Sequence, residues 1–480
     1  MARHGLLIAL LLALSPHLAR ADDSARPNVL ICVADDWGWP DAGAYGNAIV
    51  RTPTFDRLAR EGVVFDRAFV SSPSCTPSRN AILAGQDFYR LGQGANLWST
   101  LDTTHPNFMS LLRDAGYAIG HHRKAWGPGD FRAGGYEQNP MGPASTFDDF
   151  LQQRGDQPFC FWFGTSDPHR PYNPGTGQAA GLDPSDVDLP PYWPDDDLVR
   201  RDVTDYYAEV ERWDRDVGKA IAMLEDQGLL DNTIVIMTGD HGMPFPRCKG
   251  NLYDSGVRVP LAIRWPERTT TGNTDRLVSL TDLAPTILAA AGLEVPEVMT
   301  GRSMLKVLRG NETEWRDAIV FGRERHTAAQ AMPSLAGYPS RAVRTGAYLY
   351  IRNYEPDRWP AGVPEGATHV SDHFADCDNS PTKSLIMQLG DRTEAHRLCF
   401  ARRPAEELYD LKADPHQVHN LAGDPALDST KATLRAELDA YLKATGDPRA
   451  GDGPAPFDDY PYRNERIMQR VREHNATSSQ

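Results

Sequence analysis

Apolar runs and amphipathic segments alternate along most of the chain. Residues 28–34 and 233–238 are continuous apolar runs, a pattern typical of strands that are buried on both faces of a sheet. Residues 63–70 and 257–263 predict further strands, and apolar positions at helical spacing predict a long helix over residues 203–227. This alternation indicates an α/β fold, with a large, mostly parallel sheet sandwiched by helices.

The pattern changes near residue 341. A hairpin is predicted over residues 341–352, a strand over 407–411 and a closing helix over 434–442. We therefore predict two domains after a leader, a catalytic domain over residues 22–338 and a smaller C-terminal α+β domain over residues 339–480. The tail after Gly446 is rich in Pro, Gly and charge, which predicts a loosely held segment.

Acidic residues follow two of the predicted strands. Asp35 and Asp36 come directly after the first strand, and Asp240 and His241 follow the strand over residues 233–238. The carboxyl ends of parallel strands meet at one edge of a sheet, where α/β proteins bind their ligands. Carboxylate oxygens are the ligands that Ca²⁺ or Mg²⁺ requires. The sequence therefore predicts a divalent cation at this edge.

Further polar clusters follow other predicted strands. Lys124 lies in a cationic cluster after a short strand over residues 117–120, and His169 follows the strand over residues 158–165. A charged run follows the strand over residues 318–321. Its members are Arg323, Glu324, Arg325 and His326. We interpret this run either as a loop that contacts substrate or as a solvated charged loop.

A single cysteine precedes a predicted helix. Pro77 suits the first position of that helix with Thr76 as its cap, and Gly85 suits its end. Cys75 would then lie at the helix N-terminus, where free N–H groups and the helix dipole favour a bound anion and lower a thiol pKa. Arg79 adds a planar donor group for an oxyanion.

Composition narrows the possible functions. The 480 residues carry a formal net charge of −15, which argues against a nucleic-acid-binding protein. Six cysteines are too few for a disulfide scaffold in a chain of this length. One bridge between Cys377 and Cys399 is left open by their positions around a polar segment.

The first 21 residues have the pattern of a secretory signal. Arg3 precedes an apolar run over residues 6–14, and Ala19-Arg20-Ala21 fits a cleavage site. The apolar run is too short to span a bilayer, so membrane insertion is not expected. We predict an exported protein, periplasmic or extracellular, or lysosomal if the source is eukaryotic.

The stretch Cys75-Thr76-Pro77-Ser78-Arg79, with Leu83, resembles the signature of type I sulfatases of the alkaline phosphatase superfamily. In that family the cysteine is oxidised to formylglycine by a formylglycine-generating enzyme. The family usually continues Leu-Thr-Gly-Arg, whereas this chain has Leu83-Ala84-Gly85-Gln86. Asp240 to Pro246 and the segment around Glu407 resemble the heparan N-sulfatase (N-sulfoglucosamine sulfohydrolase) group.

The resemblance implies roles for individual residues. A divalent cation, Ca²⁺ rather than Mg²⁺, would be held by Asp35, Asp36, Cys75, Asp240 and His241. Arg79 would stabilise the formylglycine, and Lys124, His169 and Lys249 would bind or protonate the sulfated substrate, a sulfated mono- or oligosaccharide. The hydrated aldehyde would attack sulfur with help from Asp240. One departure is Trp126, which stands where the family has His, so that either His122 substitutes or the leaving-group end of the site differs.

Two other functions are weighed against a glycan sulfatase that cleaves sulfate esters or sulfamates. A phosphate ester or phosphonate hydrolase could use the same fold, but such enzymes mostly use Ser or Thr with zinc. A non-catalytic glycan-binding descendant is the third alternative, and the complete set of expected nucleophile and metal positions argues against it.

Overall fold

The computed structural model describes residues 26–266, 268–365, 373–451 and 453–478. The predicted secretory signal over residues 1–21 lies outside these ranges. The predicted α/β fold is confirmed, because a seven-stranded sheet is flanked by helices and a smaller antiparallel sheet follows it along the chain. Within the described residues, no helix combines the length and apolar character needed to cross a membrane.

The strands of the described residues form three sheets. Their bounds are β1 Asn28–Ala34, β2 Val63–Phe65, β3 Ala68–Phe69, β4 Ala118–His122, β5 Phe159–Gly164, β6 Thr233–Gly239, β7 Arg258–Val259, β8 Leu261–Arg264, β9 Gly272–Thr274, β10 Val278–Ser279, β11 Ala318–Arg323, β12 Ser340–Thr345, β13 Tyr348–Asn353 and β14 Glu406–Asp410. The large sheet has the order β4-β5-β1-β6-β8-β2-β9. Its first four strands are mutually parallel, which brings their carboxyl ends to one edge.

The apolar runs of the sequence became central strands because both faces of the sheet are covered. All seven residues of β1 are buried, as are all seven of β6. Alternate residues of β1 enter two separate cores, with Val29 in one and Leu30 in the other. This alternation follows from the two-residue period of a strand and explains why no polar position interrupts it.

The helices cover these faces. Their bounds are α1 Pro53–Glu61, α2 Cys75–Ala84, α3 Phe108–Asp114, α4 Phe147–Gln153, α5 Thr176–Ala179, α6 Asp197–Asp226, α7 Asp254–Val257, α8 Leu283–Ala290, α9 Leu305–Leu308, α10 Pro381–Leu389, α11 Glu394–Phe400, α12 Asp428–Thr445 and α13 Glu465–Ser478. The predicted helix over residues 203–227 is α6, which begins six residues earlier. Its start is set by Asp196, whose side chain accepts a hydrogen bond from the backbone N–H of Leu198.

Two predicted strands are divided in the structure. The segment over residues 63–70 forms β2 in the large sheet and β3 in a three-stranded sheet of order β10-β3-β7. The segment over residues 257–263 forms β7 and β8, separated by Pro260, which has no N–H to donate to a strand ladder. Both segments therefore pass from one sheet to the next.

The C-terminal part of the chain is built on the antiparallel sheet β11-β12-β13-β14. Helix α12 contacts β12 and β13 and buries Leu434, Leu438 and Leu442. The hairpin, the strand and the closing helix expected from the sequence are all present. The predicted boundary at residue 338 lies between β11 and β12, and the division into two domains stays a prediction.

One prediction about the C-terminal part was wrong, and one possibility that the sequence left open is not realised. The segment after Gly446 is not loosely held, because Phe457 and Tyr462 are buried and the backbone carbonyl of Phe457 accepts a hydrogen bond from Asn96. A disulfide between Cys377 and Cys399 is not formed, since both cysteines are free. Apolar contacts and hydrogen bonds to distant loops, which composition does not report, fix this region.

Candidate active site

The site lies where β1 and β6 end, beside the start of α2. These strands are neighbours, and Ala34 pairs with Gly239 at the last position of their register. Asp35 and Asp36 therefore leave the sheet next to Asp240. The backbone N–H of Asp36 donates to Oδ1 of Asp240 at 2.9 Å, which joins the two acidic strand ends.

Helix α2 places Cys75 at the centre of this group. The helix begins at Cys75 itself, and its N-cap is Ser74. The predicted cap, Thr76, therefore lies inside the helix, and Pro77 lies within the first turn. The Cys75 Sγ atom lies 3.2 Å from Nε2 of His241. The predicted end at Gly85 is confirmed, since Gly85 adopts a φ of 62°.

The predicted lowering of the Cys75 thiol pKa was wrong. The side chain is buried, and this burial raises the pKa of the Cys75 thiol well above its ordinary value. Lys124 lowers it only in part, and Asp35, whose carboxylate lies 3.7 Å from the sulfur, acts in the opposite direction. The unmodified side chain would therefore be a protonated thiol and a weak nucleophile.

Four side chains here offer atoms that fit a metal ion. The ligand atoms of Asp35, Asp36, Cys75 and His241 all lie within 4.8 Å of one another, and all four residues are buried. Oδ1 of Asp36 is fully buried and has no hydrogen-bond partner among the described residues. A buried carboxylate oxygen of this kind is costly without a cation, so the donor set fits a divalent ion.

Asp240, the fifth predicted ligand, lies beside this group, with Oδ1 3.6 Å from Nε2 of His241. It is held mainly by Arg79, whose Nε donates to Oδ2 of Asp240 at 2.8 Å. Although burial favours the protonated acid, His241, Arg79 and Lys124 hold the pKa of Asp240 well below its usual range. Asp240 is thus a carboxylate, as both predicted roles require.

Two lysines reach the same acidic pair from opposite sides. Lys124, which follows β4, places Nζ 2.5 Å from Oδ1 of Asp35. Lys249 follows β6 and places Nζ 2.8 Å from Oδ2 of Asp36. Burial lowers the pKa of Lys249, but the carboxylates of Asp36 and Asp378 outweigh it and hold that pKa well above its ordinary value. Lys249 is therefore a fixed cation beside Cys75.

His169 stands at the edge of the site with its side chain 34% exposed. Its Nδ1 lies 2.6 Å from the backbone carbonyl of Arg170, which assigns the proton to Nδ1 and turns Nε2 toward Asp36, 3.9 Å away. Two ion pairs fix the surrounding loop, Arg170 with Asp202 and Arg212 with Asp167. The imidazole is thereby oriented before any substrate arrives.

Trp126 replaces the expected histidine and has a structural contact. Its Nε1 donates to Oδ1 of Asn80 at 2.6 Å, which ties the loop of Lys124 to helix α2. The ring of His122 stacks on Phe163, and its Nδ1 lies 3.0 Å from the carbonyl of Ser145. These contacts point His122 toward the helix-covered face of β5 and give no support to the substitution by His122.

The charged run after β11 is not a solvated loop, and three of its members contact the chain itself. Arg323 forms an ion pair with Asp376. Arg325 donates to the carbonyls of Leu335 and Tyr460, both at 2.9 Å. Both guanidinium groups are buried and bind other residues of the protein. The predicted substrate contacts of Arg323 and Arg325 therefore do not match the structure.

Glu324 is likewise internal. It accepts hydrogen bonds from Arg341 at 2.8 Å and from Arg449 at 2.7 Å, and its side chain is fully buried. Only the last member of the run touches the site, since Nδ1 of His326 lies 2.8 Å from Oγ of Ser74. The strand-end rule could not distinguish ion pairs within the chain from ligand contacts, and a substrate contact of His326 stays a prediction.

One functional candidate was missed by sequence reasoning. Oδ2 of Asp378 lies 3.1 Å from Nζ of Lys249, and the Asp378 side chain is 28% exposed. Asp378 follows no strand and belongs to no motif, so the local sequence carries no signal for it. Long-range packing brings it to the site.

Two family models and several curated relatives match this chain. Residues 27–293 match the family model described as Sulfatase, and residues 239–361 match the model described as N-sulphoglucosamine sulphohydrolase, C-terminal. Human N-sulphoglucosamine sulphohydrolase is 32% identical, with 88% of this chain and 91% of the relative covered. An ulvan-active sulfatase of Formosa agariphila is 31% identical, with coverage of 88% and 76%.

Solved structures share the fold. The protein BT4656 in complex with its substrate D-glucosamine-2-N,6-O-disulfate superimposes with a TM-score of 0.65 at 20% identity, covering 90% of this chain and 100% of the other. The phosphonate monoester hydrolase of Agrobacterium radiobacter gives a TM-score of 0.60 at 19% identity, with coverage of 88% and 96%. At this level of identity both likenesses concern the fold alone.

Proposed function

The chain belongs to the sulfatase family, and from this premise we propose that it hydrolyses sulfate esters or sulfamates of a sulfated sugar through a formylglycine at residue 75. The observation that carries the proposal is the position of the Cys75 side chain. It lies within ligand distance of Asp35, Asp36 and His241 at the start of α2, with Arg79, Lys124 and Lys249 around it. A protonated cysteine thiol in that position has little nucleophilic use, whereas its oxidised form has one.

The fixed cations account for the choice of substrate group. A sulfate monoester spreads negative charge over its oxygens, and the ammonium groups of Lys124 and Lys249, bound to Asp35 and Asp36, would attract such a group. Both ammonium groups are held by carboxylates, so they need little rearrangement when charge develops. A hydrated aldehyde at residue 75 would supply a nucleophilic hydroxyl and a second hydroxyl whose deprotonation releases the bound sulfate.

Proton transfers are assigned to two side chains. Asp240 is ionised, and each of its oxygens retains a lone pair beyond the bonds to Arg79 and the Asp36 backbone. It can therefore accept the proton of the attacking hydroxyl. Nδ1 of His169 is bound to the carbonyl of Arg170, so Nε2 is the atom that would donate a proton to the leaving oxygen or nitrogen.

We assign the divalent cation to Asp35, Asp36, Asp240, His241 and the oxidised residue 75. It would polarise the sulfate oxygens and the nucleophile. Ca²⁺ is proposed over Mg²⁺ because Ca²⁺ tolerates irregular geometry and several carboxylates. The unpartnered Oδ1 of Asp36 supports a cation at this position.

The substrate class is proposed from the relatives. One is named for the sulfohydrolysis of N-sulphoglucosamine and another for activity on ulvan. A sulfated mono- or oligosaccharide is common to both, and N-linked and O-linked sulfate remain alternatives. A phosphonate or phosphate ester hydrolase is the competing function on this fold. The described metal-ligand group contains one histidine, which fits the zinc sites of such enzymes poorly. A non-catalytic glycan-binding role is the remaining alternative.

The predicted secretory signal supports export, and formylglycine formation requires a maturation enzyme as a partner. We propose a periplasmic or extracellular location, or a lysosomal one in a eukaryote. The formal net charge of −15 argues against a nucleic-acid partner.

The test is mass spectrometry of the peptide that carries residue 75, from protein produced with a formylglycine-generating enzyme. The same preparation is assayed for sulfate release from N-sulfated and O-sulfated glucosamine, with Cys75→Ala as the control. Formylglycine together with sulfate release that the variant lacks would support the proposal. An unmodified cysteine in cells that mature a control sulfatase, or release by the variant, would overturn it.

A further inference from the structure

The ammonium group of Lys249 lies between two carboxylates from distant parts of the chain. Oδ2 of Asp36 is 2.8 Å away and Oδ2 of Asp378 is 3.1 Å away. The contact with Asp36 is a hydrogen bond, whereas Oδ2 of Asp378 has no hydrogen-bond partner among the described residues and faces Lys249 as an ion-pair partner. An ammonium has three N–H donors, so donors remain for a substrate oxygen. Asp378 therefore adds a second carboxylate that attracts the ammonium of Lys249 and helps to hold it in place.

Hydrogen bonds from Lys383 fix the segment that carries Asp378. The buried Nζ of Lys383 donates to the carbonyl of Phe374 at 3.0 Å, to the carbonyl of Cys377 at 2.8 Å and to Oδ1 of Asn379 at 3.0 Å. These bonds fix the backbone before Asp378 and the side chain of the residue after it. A buried carboxylate is costly in stability unless it is paired, and here its ion-pair partner is Lys249.

The charges around Cys75 suggest a role for the carboxylate of Asp378. The described site holds four carboxylates and three fixed cations. The carboxylates are Asp35, Asp36, Asp240 and Asp378, and the cations are Arg79, Lys124 and Lys249. His326 adds no charge near neutral pH, because burial lowers its pKa to about 4. These seven side chains sum to one net negative charge, to which a protonated His169 and a bound divalent ion would each add positive charge.

A sulfate monoester or a sulfamate is a monoanion, whereas phosphate monoesters are largely dianions at neutral pH, since their second pKa is about 6. Whatever charge the rest of the site carries, loss of the Asp378 carboxylate would raise it by one positive unit. That unit attracts a dianion about twice as strongly as a monoanion. The carboxylate of Asp378 thus disfavours a phosphate monoester more than a sulfate monoester.

We propose that Asp378 is a specificity-determining residue that positions Lys249 and makes the site select monoanionic over dianionic esters. This inference rests on the proposed sulfatase function. It adds a discrimination by substrate charge, which is separate from the chemistry of the nucleophile and the metal ligands. One charge acting over several ångströms at an effective dielectric constant of about 20 changes relative affinity by roughly 10- to 100-fold.

The test compares Asp378→Asn and Asp378→Glu with the unmutated mature protein. The first measurement is the ratio of kcat/KM for 4-nitrophenyl sulfate to that for 4-nitrophenyl phosphate. The second is calorimetric binding of benzenesulfonate, a monoanion, and of phenylphosphonate at pH 8, a dianion. Asp391→Asn, on an exposed turn of the same part of the chain, is the matched control for the loss of one charge.

We expect Asp378→Asn to shift both ratios toward the dianion by about tenfold or more. Asp378→Glu and Asp391→Asn should leave both ratios within about threefold, even if Asp378→Glu lowers kcat. A purely structural role would lower turnover of both esters equally, and unchanged ratios in Asp378→Asn would overturn the proposal. If the unmutated protein releases no sulfate, the proposed function fails, and the binding ratio still decides the role of Asp378.

Discussion

The Nε atom of Arg79 donates a 2.8 Å hydrogen bond to Oδ2 of Asp240, and both side chains are completely buried. The same guanidinium group donates to the backbone carbonyl of Ala125 at 3.0 Å and of Lys124 at 3.3 Å. Arg79 therefore orients the ionised carboxylate of Asp240 and also holds the loop that carries Lys124. This one side chain links two groups on opposite sides of Cys75.

We expect Arg79→Lys to lower kcat/KM for sulfate release by at least about 100-fold. A lysine keeps the charge, but it cannot make the planar set of bonds to Asp240 and the two carbonyls. Loss of geometry around a buried pair also costs on the order of 3 kcal/mol of stability, so the melting temperature should fall by several degrees. Steady-state kinetics and thermal unfolding measure the two effects. Arg113→Lys, at an exposed pair with Asp114, is the control, and full activity in Arg79→Lys would contradict the assignment.

We expect removal of divalent cations to lower the melting temperature. Asp35 and Asp36 are buried side by side, and the cation would offset their repulsion. Dialysis against a chelator, followed by titration with Ca²⁺ or Mg²⁺, measures the effect by thermal unfolding. A ligand at 100 times its Kd stabilises by about 2.7 kcal/mol. His241→Ala should lose most of the Ca²⁺ response, whereas a change at the exposed His419 should retain it. If the melting temperature does not change after dialysis against the chelator, the structure has no metal centre at this position.

We expect Glu324→Gln to destabilise the fold without changing KM for a sulfated substrate. The substitution removes the negative charge that Arg341 and Arg449 share, and an uncompensated buried charge costs about 3–5 kcal/mol. Thermal unfolding and Michaelis kinetics, corrected for the folded fraction, separate the two effects. A higher KM at unchanged melting temperature would restore the substrate-binding role that the sequence suggested.

We expect the stability difference between Asp41→Asn and the unmutated protein to depend on pH. Burial raises the pKa of Asp41 to about 7, against hydrogen bonds from Tyr206 and Tyr207. The folded state thus holds this proton more tightly than the unfolded state, where the pKa is about 3.9. The stability that Asp41 contributes is fully present below about pH 4 and is lost as the pH rises through 7.

The asparagine variant cannot lose a proton and escapes that loss. It should therefore gain stability relative to the unmutated protein between pH 4.5 and pH 8, by up to a few kcal/mol. Urea unfolding at several pH values gives this difference directly. Asp391→Asn, at an exposed carboxylate, should show a difference that is flat with pH, and a flat profile for Asp41→Asn would refute the assignment.

The local sequence was sufficient for the elements that carry the metal ligands and the nucleophile. Apolar runs predicted β1 with its observed bounds and β6 to within one residue, because a strand covered on both faces is mostly apolar along its whole length. Asp35, Asp36 and Asp240 follow those strands, and the signature around Cys75 marked the start of α2. Convergence of these residues follows from parallel strand order, which alternating elements imply.

Only the tertiary structure decided how the charged side chains are partnered. The sequence placed Arg323, Glu324 and Arg325 at a strand end, but packing buries them in ion pairs and hydrogen bonds within the chain. Asp378 is the opposite case. No motif in the sequence marks it as a site residue, but packing brings its carboxylate to Lys249. The physical reason is that hydrophobic periodicity is a local property, whereas burial, ion pairing and the pKa values they set depend on residues far apart in the chain.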